Sequence, residues 1–213
     1  ECTEFDPAEY ALLAPDHLEL EPPFTCLNAS GFAALRAHGD FWDDEFQSLR
    51  NLVHQLHSIR RVTKMVLDND HTSCLFVRPD LEYLDPLATT LRRALARPRD
   101  RVLLPAWQNW GGFNDRFALC VGQKAIVAWG NRLDRALDYC TANKAPLHSE
   151  GLIRYVMDKA HLPVELIPHR AVRVRAHGGK VSEDFAVDRA KLLKLLARRQ
   201  AKLLLMRLQG GQR

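Results

Sequence analysis

Arg78 and Asp80 stand two positions apart, joined by Pro79, directly after the short apolar run 73–77. An arginine fork can clamp a phosphate through two parallel hydrogen bonds. A carboxylate beside it can pair with that fork, or offer oxygen to magnesium or manganese. A second cluster, Trp107-Gln-Asn-Trp110-Gly-Gly112-Phe-Asn114-Asp115-Arg116, sets indoles, amides, a carboxylate and a guanidinium around paired glycines. Glycines let a backbone turn sharply or approach a ligand closely, and the side chains around them suit a sugar or a base. A third cluster, His148-Ser149-Glu150-Gly151, carries a carboxylate that could orient or deprotonate a hydroxyl. The same carboxylate could instead serve a helix start, where the dipole favours negative charge.

Elements must hold these groups. Residues 73–77 are too short for a helix and apolar at consecutive positions, which predicts a strand covered on both faces. Pro79 stops further ladder pairing, so Arg78 and Asp80 are expected at the carboxyl end of a buried strand, where open α/β sheets bind ligands. Residues 101–105, 117–121, 162–167 and 171–174 read as further strands, and 64–67 as a short one before a turn at 68–71. Helices are expected over 41–62, capped by Asp40, and over 89–96, 123–143, 152–160 and 188–208. In the first, Trp42, Phe46, Leu49, Leu52, Val53, Leu56 and Ile59 recur at helical steps and form one core-facing stripe. His54, His57, Arg60 and Arg61 near its end read as a solvated face, with a phosphate contact by Arg60 or Arg61 as the functional alternative.

Alternating strands and helices predict one α/β domain over 41–187. Residues 1–40, rich in proline and acids at their start, read as an irregular arm or the remainder of a truncated element. Residues 188–213 read as a basic C-terminal amphipathic helix.

Composition narrows the partners. The chain has 213 residues, 46% apolar and 26% charged, ordinary for a globular protein. No apolar run approaches the roughly 20 residues of a membrane span, and no secretory signal is visible. The sequence begins at Glu1, and either a secretory lumen or the cytoplasm suits it. The net charge is +4, but residues 188–213 hold eight Lys/Arg against Asp188 and so carry +7, leaving −3 for residues 1–187. Nucleic-acid recognition needs basic residues over the body, so nucleic acid is not the expected partner of the body. The leucine-rich basic tail could pack on its own domain or a neighbour, lie on an anionic membrane surface, or touch nucleic-acid phosphates. Five cysteines without a CxxC pair argue against a zinc ribbon or a redox motif. A Cys2–Cys26 disulfide is possible, and Asn28-Ala-Ser30 fits a glycosylation acceptor, a pattern common by chance.

Taken together, the three clusters resemble GT-A-fold glycosyltransferases. Val77-Arg-Pro-Asp80-Leu-Glu-Tyr-Leu-Asp-Pro-Leu87 is similar to the segment in which a hydrophobic strand ends in Asp-x-Asp, followed by Pro-Leu. Asp80 matches the second aspartate, and Arg78 stands in the place of the first. Gly112-Phe-Asn114-Asp-Arg-Phe resembles the asparagine-containing strand that lines the donor and acceptor pocket, and His148-Ser-Glu150-Gly-Leu-Ile the later acidic motif at a helix start.

The resemblance spans residues 45–180. It implies a mixed sheet flanked by helices, a nucleotide-sugar donor and a glycan acceptor. It also implies a divalent manganese or magnesium ion on Asp80, with His177 completing the metal site. Arg78, Asp80, Trp110, Gly112, Asn114 and Arg116 would hold the donor, and Glu150 or Asp115 would meet the acceptor hydroxyl. Arg78 cannot bind metal, and would clamp the diphosphate or pair with Asp80. Asp85 reads as structural. Asp68-Asn-Asp70, a literal Asp-x-Asp, reads as a solvated turn, because nothing downstream matches its register. The nucleotide-binding strand that opens such enzymes has no counterpart within 1–40. The alternative is a non-catalytic carbohydrate- or nucleotide-binding domain of the same fold, which the arginine at position 78 favours.

Overall fold

The structure, a computed structural model, describes residues 11–21, 26–27, 31–97 and 99–186. Cys2, the Asn28-Ala-Ser30 acceptor and the expected helix over 188–208 lie outside the described residues. In chain order the elements are α1 (Phe32–Arg36), α2 (Gln47–Asp68), β1 (Ser73–Phe76), β2 (Leu81–Tyr83), α3 (Ala88–Leu95), β3 (Arg101–Pro105) and β4 (Ala118–Val121). There follow α4 (Gln123–Gly130), a 3-10 turn (Arg132–Arg135), α5 (Ala136–Asn143), α6 (Ser149–Lys159), β5 (Val164–Ile167) and β6 (Ala171–Arg173). The chain divides into two compact units, residues 1–71 with 130–147 and residues 72–129 with 148–213. The span expected as one domain is thus shared between them.

The first unit is helical. Its α2 starts at Gln47, later than the apolar stripe predicts. Asp40 does accept backbone N–H groups, from Trp42, Asp44 and Phe46, but it closes a turn in which Asp43, Glu45 and Phe46 take left-handed φ. Asp44 serves the helix start, accepting both the N–H and the hydroxyl of Ser48. The helix then runs through residues 64–67, correcting the strand expected there. Thr63 is fully buried on its inner face and Lys64 pairs with Asp68 one turn on. A continued stripe and an i,i+4 pair outweigh the β-prone Val66.

Arg60 meets Asp134 at 3.1 Å, and Arg61 meets Glu19 at 2.7 Å and Glu21 at 2.8 Å. Both are engaged by carboxylates rather than presented to a phosphate. Cys26 is a free thiol, with Sγ 3.1 Å from His54 Nδ1. The helix expected over 123–143 is interrupted after Gly130. A β-carbon there would lie 1.8 Å from Thr63 Oγ1, so the close crossing needs glycine.

The second unit is a mixed α/β arrangement. Its four-stranded sheet runs β1-β4-β3-β5, with β1/β4 and β4/β3 antiparallel and β3/β5 parallel. A second, two-stranded sheet pairs β2 with β6, Leu81 opposite Arg173 and Tyr83 opposite Ala171. Leu81, Ala94, Leu103, Trp107, Phe117 and Leu119 sit at the centre of its core, and α6 buries Leu152, Ile153, Val156 and Met157. Helices flank the sheet, as the alternation predicts.

The position of β1 differs from expectation. It is an edge strand, Ser73 to Leu75 are half-buried, and Val77 is 55% exposed. A four-residue apolar run reads alike at an edge and at a centre; partner strands decide.

Candidate functional site

The turn between β1 and β2 carries Arg78 and Asp80. The main-chain N–H of Arg78 donates to Tyr83 Oη at 3.1 Å, and the Asp80 carbonyl accepts from Val174 N at 2.8 Å. Both backbones are therefore pinned to the small sheet. The side chains close on each other, Arg78 Nε to Asp80 Oδ1 at 2.9 Å and Nη2 to Oδ2 at 2.7 Å. Burial works to raise the Asp80 carboxyl, but the Arg78 hydrogen bonds and charge prevail and hold it below the ordinary range.

The loop from β3 to β4 is stitched by amides. Asn109 Nδ2 donates to the Ala106 carbonyl at 3.0 Å, and Asn109 Oδ1 accepts from Asn114 N at 3.0 Å. Buried Asn114 donates Nδ2 to the Trp107 carbonyl at 2.7 Å and accepts the Arg116 N–H at 2.8 Å. Asn114, expected to line a sugar pocket, is instead the knot that shapes the loop. Gln108, Trp110 and Gly111 take left-handed φ, and the Trp110 indole is 65% exposed. Gly112 is packed so tightly on α6 that a β-carbon would lie 1.8 Å from the Glu150 carbonyl oxygen. The next residue, Phe113, donates its N–H to that same oxygen at 3.1 Å.

At the start of α6, His148 is extended and its Nδ1 accepts the Gly151 N–H at 3.3 Å, a side-chain cap. Its Nε2 lies 3.1 Å from Glu150 Oε2. Burial lowers the imidazole, and burial, then the Asp115 charge, raises Glu150 to about 8. Ser149 donates its hydroxyl to Asp115 Oδ2 at 2.7 Å, with both side chains buried. Serine, histidine and carboxylate are adjacent here, yet they do not form a nucleophilic relay, which requires the base to face the hydroxyl.

Arg78, Asp80, Asp115, Arg116 and Glu150 thus come into one electrostatic neighbourhood. Asp115 acts on Arg78 and on Glu150, and Arg116 acts on Asp80 and on Glu150. Gly112 borders it through the Glu150 backbone. His177, expected to complete a metal site, lies in the turn bounded by the Val174–Lys180 bridge. No group of three His, Cys, Asp or Glu among the described residues could hold a metal ion. Asp85 is engaged by Arg170 through both carboxylate oxygens, the structural role expected of it. Asp70, with φ of 55°, closes the turn after α2.

One charged residue here carries no sequence signal. Glu183 has a side chain only 2% exposed, held by Arg173 Nε at 2.7 Å and Gln108 Nε2 at 2.8 Å. Burial pushes this carboxyl up, and those donors outweigh it and hold it down. Phe185 stacks edge-on against Trp107 with centroids 5.0 Å apart. The segment after β6 therefore ties down the loop that carries Trp110 and Gly112. Compared with known proteins, the chain is matched by no family model, by no curated protein and by no solved structure.

Proposed function

We propose that the second unit is a glycosyltransferase domain of GT-A type, moving a sugar from a nucleoside-diphosphate donor to a hydroxyl of a glycan or glycoconjugate. One observation carries the reading. Three blocks far apart in sequence, Arg78-Pro-Asp80, Asn114-Asp115-Arg116 and His148-Ser149-Glu150, converge through the Ser149–Asp115 hydrogen bond and the charges that Asp115 and Arg116 exert. Clustered, mutually perturbed ionisable groups favour functional sites.

The chemistry follows from the groups present. Arg78 turns its fork from Asp80 to the diphosphate, and Arg116 adds positive charge as the leaving group departs. Glu150, titrating near pH 8, has the basicity to take the proton of the acceptor hydroxyl once ionised. The acceptor oxygen bonds to the anomeric carbon, the carbon–phosphate-oxygen bond breaks, and its electron pair leaves with the nucleoside diphosphate. A divalent manganese or magnesium ion fits the side chains as arranged poorly. Asp80 is a single carboxylate whose oxygens both face Arg78, so no step is derived through such an ion.

That same pairing favours a second reading, a domain that binds a sugar nucleotide or glycan without turning it over. The test is release of nucleoside diphosphate from a panel of nucleotide sugars, with and without oligosaccharide acceptors. Acceptor-stimulated release confined to one donor, and reduced about 100-fold or more in Glu150→Gln, supports transfer. Saturable binding with no release from any donor supports the second reading.

A further inference from the structure

Resting on the transfer reading, one residue of the third block can be given a role that the reading leaves open. Ser149 opens α6 and Asp115 precedes β4, 34 positions apart in sequence, yet they are joined by a 2.7 Å hydrogen bond between buried side chains, 6% and 9% exposed. A bond this short from a hydroxyl to a carboxylate is the strong, charge-assisted kind. A serine at the first turn of a helix would ordinarily serve the helix's own N–H groups. Here His148 Nδ1 takes that task at Gly151, so the Ser149 hydroxyl is given to a different element. Among the described residues, the neighbouring Arg116 Nη1 stands farther from the Asp115 carboxylate, at 3.9 Å.

We propose that Ser149 is a positioning residue of this site, its hydroxyl holding the Asp115 carboxylate opposite the Glu150 carboxyl so that one incoming hydroxyl group meets both.

Two carboxyl groups close together cannot both carry charge cheaply, and such pairs are how one site keeps an acid and a base side by side. The groups facing Glu150 are Asp115 and Arg116 from the loop before β4 and His148 from its own helix start; Arg78 and Asp80, from the turn after β1, act on Asp115 and beside Arg116. Asp115 is the charge that raises the Glu150 carboxyl, so anything that lets Asp115 swing away must be felt at Glu150. A purely structural serine could move that titration only through burial, and so equally with or without the Asp115 carboxylate.

The experiment follows the Glu150 side-chain carboxyl by 13C NMR against pH in the full chain, for wild type, Ser149→Ala, Ser149→Thr and Asp115→Asn. Circular dichroism and melting confirm that each variant is folded. The expected result is a Glu150 midpoint that falls in Ser149→Ala, falls in Asp115→Asn, and is restored in Ser149→Thr, which keeps the hydroxyl. Ser149→Ala should add no further shift in the Asp115→Asn background. An unchanged midpoint in folded Ser149→Ala would overturn the proposal. So would an equal shift in the Asp115→Asn background, because water entry rather than Asp115 placement would then be the cause. The titration uses no substrate, so it can fail while the transfer assay succeeds, and the reverse.

Discussion

Arg78 holds Asp80 through two parallel contacts, Nε to Oδ1 at 2.9 Å and Nη2 to Oδ2 at 2.7 Å, on backbones pinned by Tyr83 and Val174. The pair sets a planar cation, gripped by a carboxylate, on the turn after β1. Arg78→Lys keeps the charge and loses the fork, so nucleoside-diphosphate affinity should fall about tenfold, the loss of roughly one charge-assisted hydrogen bond. Asp80→Asn should keep or tighten that affinity, because it frees the guanidinium for phosphate. Isothermal calorimetry separates the cases. Loss of binding in Asp80→Asn would show that the carboxylate itself contacts the ligand or its ion.

Glu150 sets the pH behaviour of the unit. Its carboxyl is raised from an ordinary 4.5 to about 8 by burial, then by the Asp115 charge. A group whose folded value is raised contributes stability fully present below the unfolded value, lost as pH rises through the folded one. Stability should therefore decline between about pH 4.5 and about pH 8 on account of this residue. Glu150→Gln should flatten that decline and stabilise the chain at pH 8 by on the order of a few kcal/mol. Urea melts across the pH range give the slope. Transfer activity should show the opposite trend, rising towards pH 8 as the base ionises.

Gly112 is a steric requirement rather than a conformational one. A β-carbon would meet the Glu150 carbonyl oxygen at 1.8 Å and its carbon at 2.0 Å, both rigid backbone. Gly112→Ala must push the loop and the start of α6 apart, costing about 1–3 kcal/mol. Because the displaced turn holds Ser149 and Glu150, ligand binding should fall further than stability does. Thermal melting beside ligand titration checks the comparison.

Glu183 should matter for stability out of proportion to its place in an irregular segment. Truncation to alanine removes the shared acceptor of Arg173 and Gln108 and leaves their donors without it, at a cost of about 1–3 kcal/mol. Limited proteolysis should then open the loop around Trp110 first. A variant cleaved as slowly as wild type there would show that the segment does not tether the loop.

Legibility followed the range of the interaction. β3, β4, β5 and α6 were readable to within a few residues because local apolar runs and spacing determine them. Three-residue β2 was not, since Leu81-Glu82-Tyr83 holds no apolar run and its strand forms only on pairing with β6, some 90 positions away. The edge position of β1 and the need for glycine at 130 depend on neighbours distant in sequence, β4 for one and Thr63 for the other. In the site, Arg78, Asp80, Asp115, Arg116 and Glu150 could be singled out by type and spacing. Whether Asn114 faced a ligand or its own loop could not, because an amide in a glycine-rich stretch suits both. Glu183 was invisible, as its partner Gln108 lies 75 residues away.

The most direct test is the melting temperature of the chain against a panel of nucleoside diphosphates, each with and without manganese, beside Arg78→Ala. A ligand bound only by the folded state at a hundredfold excess over Kd adds about 2.7 kcal/mol. The expected result is a rise with one nucleoside diphosphate in the absence of metal, abolished in Arg78→Ala. No rise with any nucleotide, or an equal rise in Arg78→Ala, would contradict it.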